Sequence, residues 1–100
     1  MREYLLDERK AMRCVISVLG KDRSGIVAAI SAVLSGCEAN IDDISQTILN
    51  GIFSMTMLVT LNTEASGFND VQKELERVGE QLGVQVTIQR EDVFDFMYKI

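Results

Sequence analysis

The sequence contains no histidine, no proline and no tryptophan, and only two of its 100 residues are cysteine. Without histidine, the chain lacks the usual general base, the base of Ser–His and Cys–His pairs, and the commonest ligand of catalytic zinc. Without proline, it has no proline-rich linker or docking segment. Cys14 and Cys37 lie in apolar stretches, which favours reduced, buried thiols over a disulfide, a metal site or a nucleophile. We therefore expect no enzyme, and predict no catalytic residue, no metal site and no cofactor.

Long apolar runs and clustered basic residues are missing as well. No apolar run approaches about 18 residues, so no transmembrane helix is predicted, and the charged start Met1 to Lys10 is unlike a secretory signal. We therefore expect a cytoplasmic protein that binds no membrane. Ten Lys and Arg are scattered among fifteen Asp and Glu, for a net charge of −5. Because nucleic-acid binding needs clustered basic residues, no DNA or RNA partner is expected.

The length and the 47% apolar composition are typical of one globular domain with one modest core. We interpret residues 1–10 as an N-terminal extension and residues 11–100 as the domain. Alternation predicts strands over 12–19 and 84–90, whereas helical spacing predicts helices over 26–37 and 71–82. Ser66 or Asn69 is a candidate cap of the second helix, and Gly83 is its expected stop. The apolar tail, 91–100, predicts a short C-terminal helix docked on the domain or on a second copy.

Between the helices, Asn50-Gly51 joins two alternating segments, 40–49 and 52–61, which is the strongest short signal of a β-hairpin. Its two-residue turn fixes a register from Leu49 opposite Ile52 down to Ile44 opposite Met57. One face of the hairpin is then predicted to be core and the other to be solvated. The predicted core residues are Ile44, Ile48, Phe53, Met55, Met57 and Val59, and the solvated ones are Ser45, Thr47, Ser54 and Thr56. Gln46 falls on the core face and is expected at the sheet margin, with a ligand or partner contact as the alternative.

The predicted order is therefore strand, helix, strand, strand, helix, strand. With right-handed crossovers this is the ferredoxin-like βαββαβ arrangement, an α+β fold with a four-stranded antiparallel sheet and helices on one face. The expected strand order is 4-1-3-2, which leaves the second strand at an edge. Because that edge is exposed and the first helix has a small-sided face of Ala and Ser, we expect a homodimer.

Three segments carry a family resemblance: Gly20-Lys21-Asp22-Arg23-Ser24-Gly25-Ile26-Val27-Ala28, then Asn40-Ile41-Asp42-Asp43-Ile44-Ser45-Gln46-Thr47, and the ending Glu91-Asp92-Val93-Phe94-Asp95-Phe96-Met97-Tyr98-Lys99-Ile100. In this order they resemble ACT domains, and more narrowly the stand-alone, single-domain ACT proteins of prokaryotes, which are related to the glycine-cleavage regulatory ACT proteins. The common ACT loop has Pro before its last glycine, where this chain has Ser24, as that subfamily does. The resemblance covers Met12 to Ile100. It implies a regulatory domain that binds an amino acid or a similar small molecule, often between two copies that meet through the second strand and the first helix.

The candidate ligand site has two halves. The loop Gly20, Lys21, Asp22, Arg23, Ser24 and Gly25 opens the first helix, where free N–H groups and the helix dipole favour a carboxylate. The start of the second strand, Asn40, Ile41, Asp42 and Asp43, offers acceptors for an ammonium group. We expect the two halves to lie near each other and to hold an α-amino acid. The alternative is structural: Asp22 as a helix cap, Gly25 for packing, and Asn40 in a turn.

Two further functions compete with that of a ligand-binding regulatory module. One is a dimerisation or partner-docking module without a ligand, which would bind another protein. The other is an acylphosphatase-like enzyme, since that enzyme has the same fold and places an Arg in the first loop and an Asn on the second strand, as with Arg23 and Asn40. The acylphosphatase loop pattern around the Arg is absent. The loop is not a phosphate-binding P-loop either, because Ile26-Val27 stands where Lys-Ser/Thr is required.

Overall fold

The computed structural model describes residues 10–97. Its elements, in chain order, are β1 Ala11–Lys21, α1 Ile26–Gly36, β2 Asn40–Leu49, β3 Ile52–Asn62, α2 Phe68–Leu82, β4 Val84–Arg90 and α3 Glu91–Met97. The sheet is antiparallel with the order β2-β3-β1-β4, so the predicted βαββαβ fold and its strand order are confirmed. The predicted extension, residues 1–10, lies outside the described residues except for Lys10. Residues 98–100 of the predicted terminal helix also lie outside them.

The core lies between one face of the sheet and the helices α1 and α2. Alternation in β1 turns Cys14, Ile16 and Val18 inward, and each is at most 1% exposed. Helix α2 ends at Gly83, whose φ of 74° is the left-handed conformation that glycine adopts without strain. Its N-terminal cap is Gly67, with no side-chain hydrogen bond, so the predicted caps Ser66 and Asn69 are wrong.

The hairpin has the predicted register, with Leu49 opposite Ile52 and Ile44 opposite Met57. The turn residues Asn50 and Gly51 have φ values of 55° and 80°, as a type I′ turn requires. In β3 the inward residues are buried as predicted. In β2, however, Ile44 is 41% exposed and Ile48 is 59% exposed, so the prediction that they belong to the core is wrong. The reason is that β2 is an edge strand over which α1 scarcely extends, so every one of its residues is exposed, whereas the other edge strand, β4, is covered on its inner face by α2.

Helix α3 lies on the other face of the sheet, away from α1 and α2. Val15 points to that face, since its neighbours Cys14 and Ile16 point into the core, yet Val15 is only 3% exposed. Gln89, its partner in β4, donates a hydrogen bond from Nε2 to Met97 Sδ at 3.4 Å. The terminal helix therefore covers one end of a face that no other element within residues 10–97 covers.

Candidate functional site

The loop between β1 and α1 is seated against the tip of the β2–β3 hairpin. The Asp22 N–H donates to the carbonyl oxygen of Gly51 at 2.8 Å. On the other side, Arg23 donates from Nη1 to the Leu82 carbonyl oxygen at 3.3 Å, at the end of α2. The loop is thus held at the end of the sheet where the hairpin tip and the end of α2 meet.

Helix α1 begins without a side-chain cap. Its N-cap is Gly25, with φ of 90°, and the first helical bond runs from the Ala29 N–H to the Gly25 carbonyl oxygen at 2.9 Å. Asp22 therefore does not cap the helix, and the structural role considered for it is wrong. The N–H groups of the first turn have no partner within the helix. These N–H groups and the positive end of the helix dipole both favour binding of an anion. Lys21 and Arg23, both exposed, add positive charge nearby.

Gly20 has a packing role. A Cβ atom at this position would lie 2.8 Å from Cγ1 and 3.0 Å from Cα of Val84, its partner in β4. No side chain fits at such distances without moving the backbone of β4. By contrast, a Cβ at Gly25 would meet nothing within 4 Å, so Gly25 is needed for its positive φ and not for close packing.

The second half of the candidate site is organised by a β-bulge between Ile41 and Asp43. The extra residue, Asp42, accepts hydrogen bonds from Asn40 Nδ2 and Thr60 Oγ1, both at 2.6 Å, and lies 3.5 Å from Arg13 Nε. Its carboxylate is thus already bound and neutralised within the chain. Arg13, Thr60 and the bulge are not predicted from the sequence. The signal was present, because Ile41 and Ile44 are both apolar at a spacing of three, which strict alternation does not allow.

Asp43 and Asn40 have simpler surroundings. Asp43 Oδ1 accepts the N–H of Ile44 at 2.8 Å. Because Asn40 donates its amide Nδ2 to Asp42, its amide oxygen faces away from that carboxylate. Asn40 therefore keeps an acceptor at the very start of β2, held in place by Asp42.

The two halves do not meet within one chain, so the prediction that they lie near each other is wrong. Asn40 pairs with Thr60, which pairs with Arg13 near the start of β1, whereas the loop follows Lys21 at the end of β1. At about 3.4 Å per residue the two ends are roughly 25 Å apart. The physical reason is direction: β1 and β2 are both antiparallel to β3 and hence parallel to each other, so the end of β1 is level with the end of β2.

An apolar surface at the edge of the sheet is the other feature of this side of the molecule. On the helix side of β2, Ile41, Ile44 and Ile48 are 37%, 41% and 59% exposed. The adjoining helix α1 contains no charged residue in its eleven positions. We call β2 and α1 together the edge surface. Free strand hydrogen-bonding groups beside an uncharged helix are typical of a surface that pairs with another chain.

The two cysteines and the acidic side chains are the remaining groups that could carry chemistry. Burial raises the pKa of the Cys14 thiol to about 11, an effect that Arg90 opposes and that Asp92 and Glu91 reinforce. This thiol is protonated at neutral pH and is not a nucleophile. Cys37 is half-buried and free. Within residues 10–97, no group of three or more Cys, Asp and Glu side chains is arranged to hold a metal ion, and no helix is long and apolar enough to span a bilayer.

Comparison with known proteins points to one family. The sequence profile described as ACT domain matches residues 13–89. A UPF0237 protein of Methanocaldococcus jannaschii is 53% identical over 88 residues, which are 88% of this chain and 98% of that protein. Among solved structures, an ACT domain protein from Streptococcus pneumoniae is 40% identical, with a TM-score of 0.73, over 84% of this chain and 94% of that one. A candidate glycine cleavage system transcriptional repressor is 22% identical, with a TM-score of 0.72, over 80% of this chain and 46% of that one, and this likeness shows the fold alone.

Proposed function

The chain belongs to the ACT domain family, within it to the UPF0237 group, and we propose that it is a regulatory homodimer that binds an amino acid between its two copies. ACT domains are in general regulatory and ligand-binding, and no catalytic domain is identified in this chain. The finer assignment rests on the edge surface and on the positions of the two half-sites. The cytoplasm is the location we propose for it.

The single observation that carries the proposal is the exposed isoleucine row of β2. Ile41, Ile44 and Ile48 lie on the core side of the sheet, where a globular domain ordinarily has a covering layer, and no helix within residues 10–97 covers them fully. If β2 of one copy pairs with β2 of another, the sheet continues across the interface and the two α1 helices pack over the isoleucines. Unpaired strand groups and exposed apolar side chains are then removed from water in one step.

Antiparallel pairing of the two β2 strands would also unite the half-sites. The end of β2 is level with the loop Gly20–Gly25, and in an antiparallel pair the partner's β2 begins beside the end of this strand. The loop of one copy then faces the partner's Asn40 at the same end of the joined sheet. The first turn of α1, with Lys21 and Arg23, would receive the carboxylate, and the partner's Asn40 amide oxygen would receive the ammonium group.

Calorimetric titration with a panel of α-amino acids tests the ligand. Asn40→Ala removes the proposed acceptor and should weaken binding by about 1–3 kcal/mol, roughly 5- to 150-fold. Asn69→Ala is the matched control, because Asn69 is exposed on α2 away from both half-sites. If Asn40→Ala binds as tightly as the control, the site is elsewhere. If no amino acid binds at millimolar concentration, a dimerisation or partner-docking module without a ligand becomes the better description.

The dimer is tested separately by light scattering coupled to size exclusion. Ile48→Lys places a charge at the most exposed isoleucine of the edge surface and should abolish β2 pairing, whereas the control Asn69→Lys adds the same charge on α2 and should not. The edge dimer would be contradicted if the control lost self-association. It would equally be contradicted if Ile48→Lys still paired through β2.

A further inference from the structure

The side chain of Asn40 has two different groups that it could present to a ligand. Its amide oxygen accepts hydrogen bonds and its NH2 group donates them, and a half-turn of the amide exchanges the two. In this chain Nδ2 of Asn40 lies 2.6 Å from Oδ1 of Asp42. Because a carboxylate oxygen only accepts, the reverse orientation would set two acceptors against each other. Asp42 therefore holds the Asn40 amide with its oxygen turned away from the carboxylate.

Asp42 is in turn held by groups on the two neighbouring strands. Thr60 Oγ1 donates to Asp42 Oδ2 at 2.6 Å, and Arg13 Nε lies 3.5 Å from the same oxygen. These groups meet because Thr60 lies opposite Asn40 on one side and opposite Arg13 on the other, and residues directly opposite in an antiparallel pair share a face of the sheet. One oxygen of Asp42 thus belongs to Thr60 and Arg13, and the other to Asn40.

Arg13 is anchored from the other side by the terminal helix. Its Nη2 lies 3.4 Å from Oε2 of Glu91, the first residue of α3, so its guanidinium bridges a carboxylate on β2 and a carboxylate on α3. An arginine side chain has only donors. Whatever atom of residue 42 faces Arg13 must therefore be an acceptor.

We propose that Asp42 determines which ligands the Asn40 half-site accepts, by holding the Asn40 amide as an acceptor. This inference rests on the proposed function, in which Asn40 faces the substituent on the α-carbon of the ligand. The ammonium group of an α-amino acid donates to the amide oxygen and is bound. The carbonyl oxygen of the corresponding α-keto acid only accepts, and it is rejected. Asp42 acts through Asn40 and is a positioning residue.

The variant Asp42→Asn should reverse this selection. It replaces the two carboxylate oxygens by one oxygen and one NH2 group. Since Arg13 can only donate, the new oxygen faces Arg13 and the new NH2 group faces Asn40. Asn40 then turns its own oxygen towards that NH2 group and presents its NH2 group to the ligand. The half-site becomes a donor, which suits a carbonyl oxygen and not an ammonium group.

Calorimetric titration with two probes measures the selection. The probes are the α-amino acid that the wild type binds most tightly and the α-keto acid with the same side chain. We expect the wild type to prefer the amino acid by roughly 5- to 150-fold, and Asp42→Asn to prefer the keto acid. Asp42→Ala leaves the Asn40 amide free to turn and should show little preference.

Two controls separate hydrogen-bond direction from charge and from folding. Asp42→Ala removes the same charge at the same place as Asp42→Asn but supplies no NH2 group, so the difference between the two variants reports direction alone. Asp70→Asn removes one negative charge at an exposed position on α2, outside both half-sites, and should keep the wild-type preference. Asp42→Asn would overturn the proposal if it kept the wild-type preference, or if it weakened both probes equally.

The orientation of Asn40 is measured separately, by NMR of the side-chain amides in the ligand-free protein, with Asn40→Ala identifying the resonances. A hydrogen bond to Asp42 should move one Asn40 amide proton downfield of the protons of exposed Asn69, in the wild type and in Asp70→Asn but not in Asp42→Ala. Wild-type Asn40 resonances that match those of Asn69 would overturn the proposal. If the resonance is shifted and no amino acid binds at millimolar concentration, the proposed function fails and the selection fails with it, while the held amide stands.

Discussion

Substitution of Gly79 by alanine sets two known effects against each other. Gly79 lies inside α2, where glycine is less favourable than alanine by about 1 kcal/mol, so helix propensity alone predicts that Gly79→Ala stabilises the protein. The new Cβ, however, would lie 2.9 Å from Val86 Cγ2 and 3.0 Å from the Val84 carbonyl oxygen. The first distance is shorter than real Cβ contacts, and the second is tighter than nine in ten of them and involves backbone, which cannot turn away.

The size of the stability change depends on whether the atoms that the new Cβ meets can move aside. Val86 is β-branched and 9% exposed, so its methyl group has little freedom to change rotamer. Forcing an extra carbon into such a contact costs about 1–3 kcal/mol, and in this case α2 has to lift from β4. After the gain in propensity of about 1 kcal/mol is subtracted, we expect Gly79→Ala to lower the free energy of unfolding by up to about 2 kcal/mol.

Urea unfolding followed by circular dichroism measures this difference, at one fixed protein concentration because self-association contributes to apparent stability. Gly36→Ala is the control, since a Cβ at Gly36, in the last turn of α1, would meet nothing within 4 Å. It should leave stability unchanged or raise it by up to about 1 kcal/mol. If Gly79→Ala is as stable as the wild type or more stable, the close packing of α2 on β4 is not what keeps a glycine there.

Two further predictions concern the loop and the buried thiol. Gly25→Val should cost about 1–3 kcal/mol of stability, because residue 25 has a φ of 90° and not because the side chain would clash. Thermal unfolding of Gly25→Val is compared with that of Gly25→Asn. Because asparagine tolerates positive φ better than valine, the comparison separates backbone strain from side-chain bulk. The pKa of Cys14 rises from 9.0 to about 11 on folding, so above pH 9 the unfolded chain loses a proton that the folded chain keeps. The stability this thiol provides is complete below pH 9 and declines as the pH rises towards 11. Urea unfolding between pH 9 and 11 should therefore show a shallower fall in the free energy of unfolding for Cys14→Ala than for the wild type. Equal slopes for the two proteins would refute the raised pKa of Cys14.

Those parts of the fold that depend on local chemistry could be predicted from the sequence. Asn50-Gly51 dictates a two-residue turn, and once the turn is fixed, the period of two fixes every pair of the hairpin. Alternation says which face a side chain is on, but it does not say whether anything covers that face. Ile44 and Ile48 were therefore assigned correctly to the helix side and wrongly to the core, because their exposure depends on how far α1 and α2 extend over the sheet.

The candidate site was harder to predict because it depends on strand direction and on a bulge. The loop Gly20–Gly25 and Asn40 are expected to be neighbours from their chemistry. The predicted topology, however, makes β1 and β2 parallel, so the end of β1 and the start of β2 lie at opposite ends of the sheet. The engagement of Asp42 by Thr60 and Arg13 arises from one extra residue in β2, and it joins parts of the chain that no local pattern relates. The face of the sheet on which α3 packs was also not predictable from the sequence. Seven residues give too short a pattern to indicate which side of the helix is buried.

The central position of β1 has a consequence for the order in which the chain can fold. β1 pairs with β3 on one side and with β4, the last strand, on the other, so Cys14 lies opposite Arg90. Until β4 has been synthesised, β1 is itself an edge, and the inner side of α2 lacks the strand on which Gly79 packs. We therefore expect folding to be completed after synthesis, on the slower timescale of topologies rich in long-range strand pairs. Any fragment that ends before Val84 should expose a long apolar strand edge and aggregate.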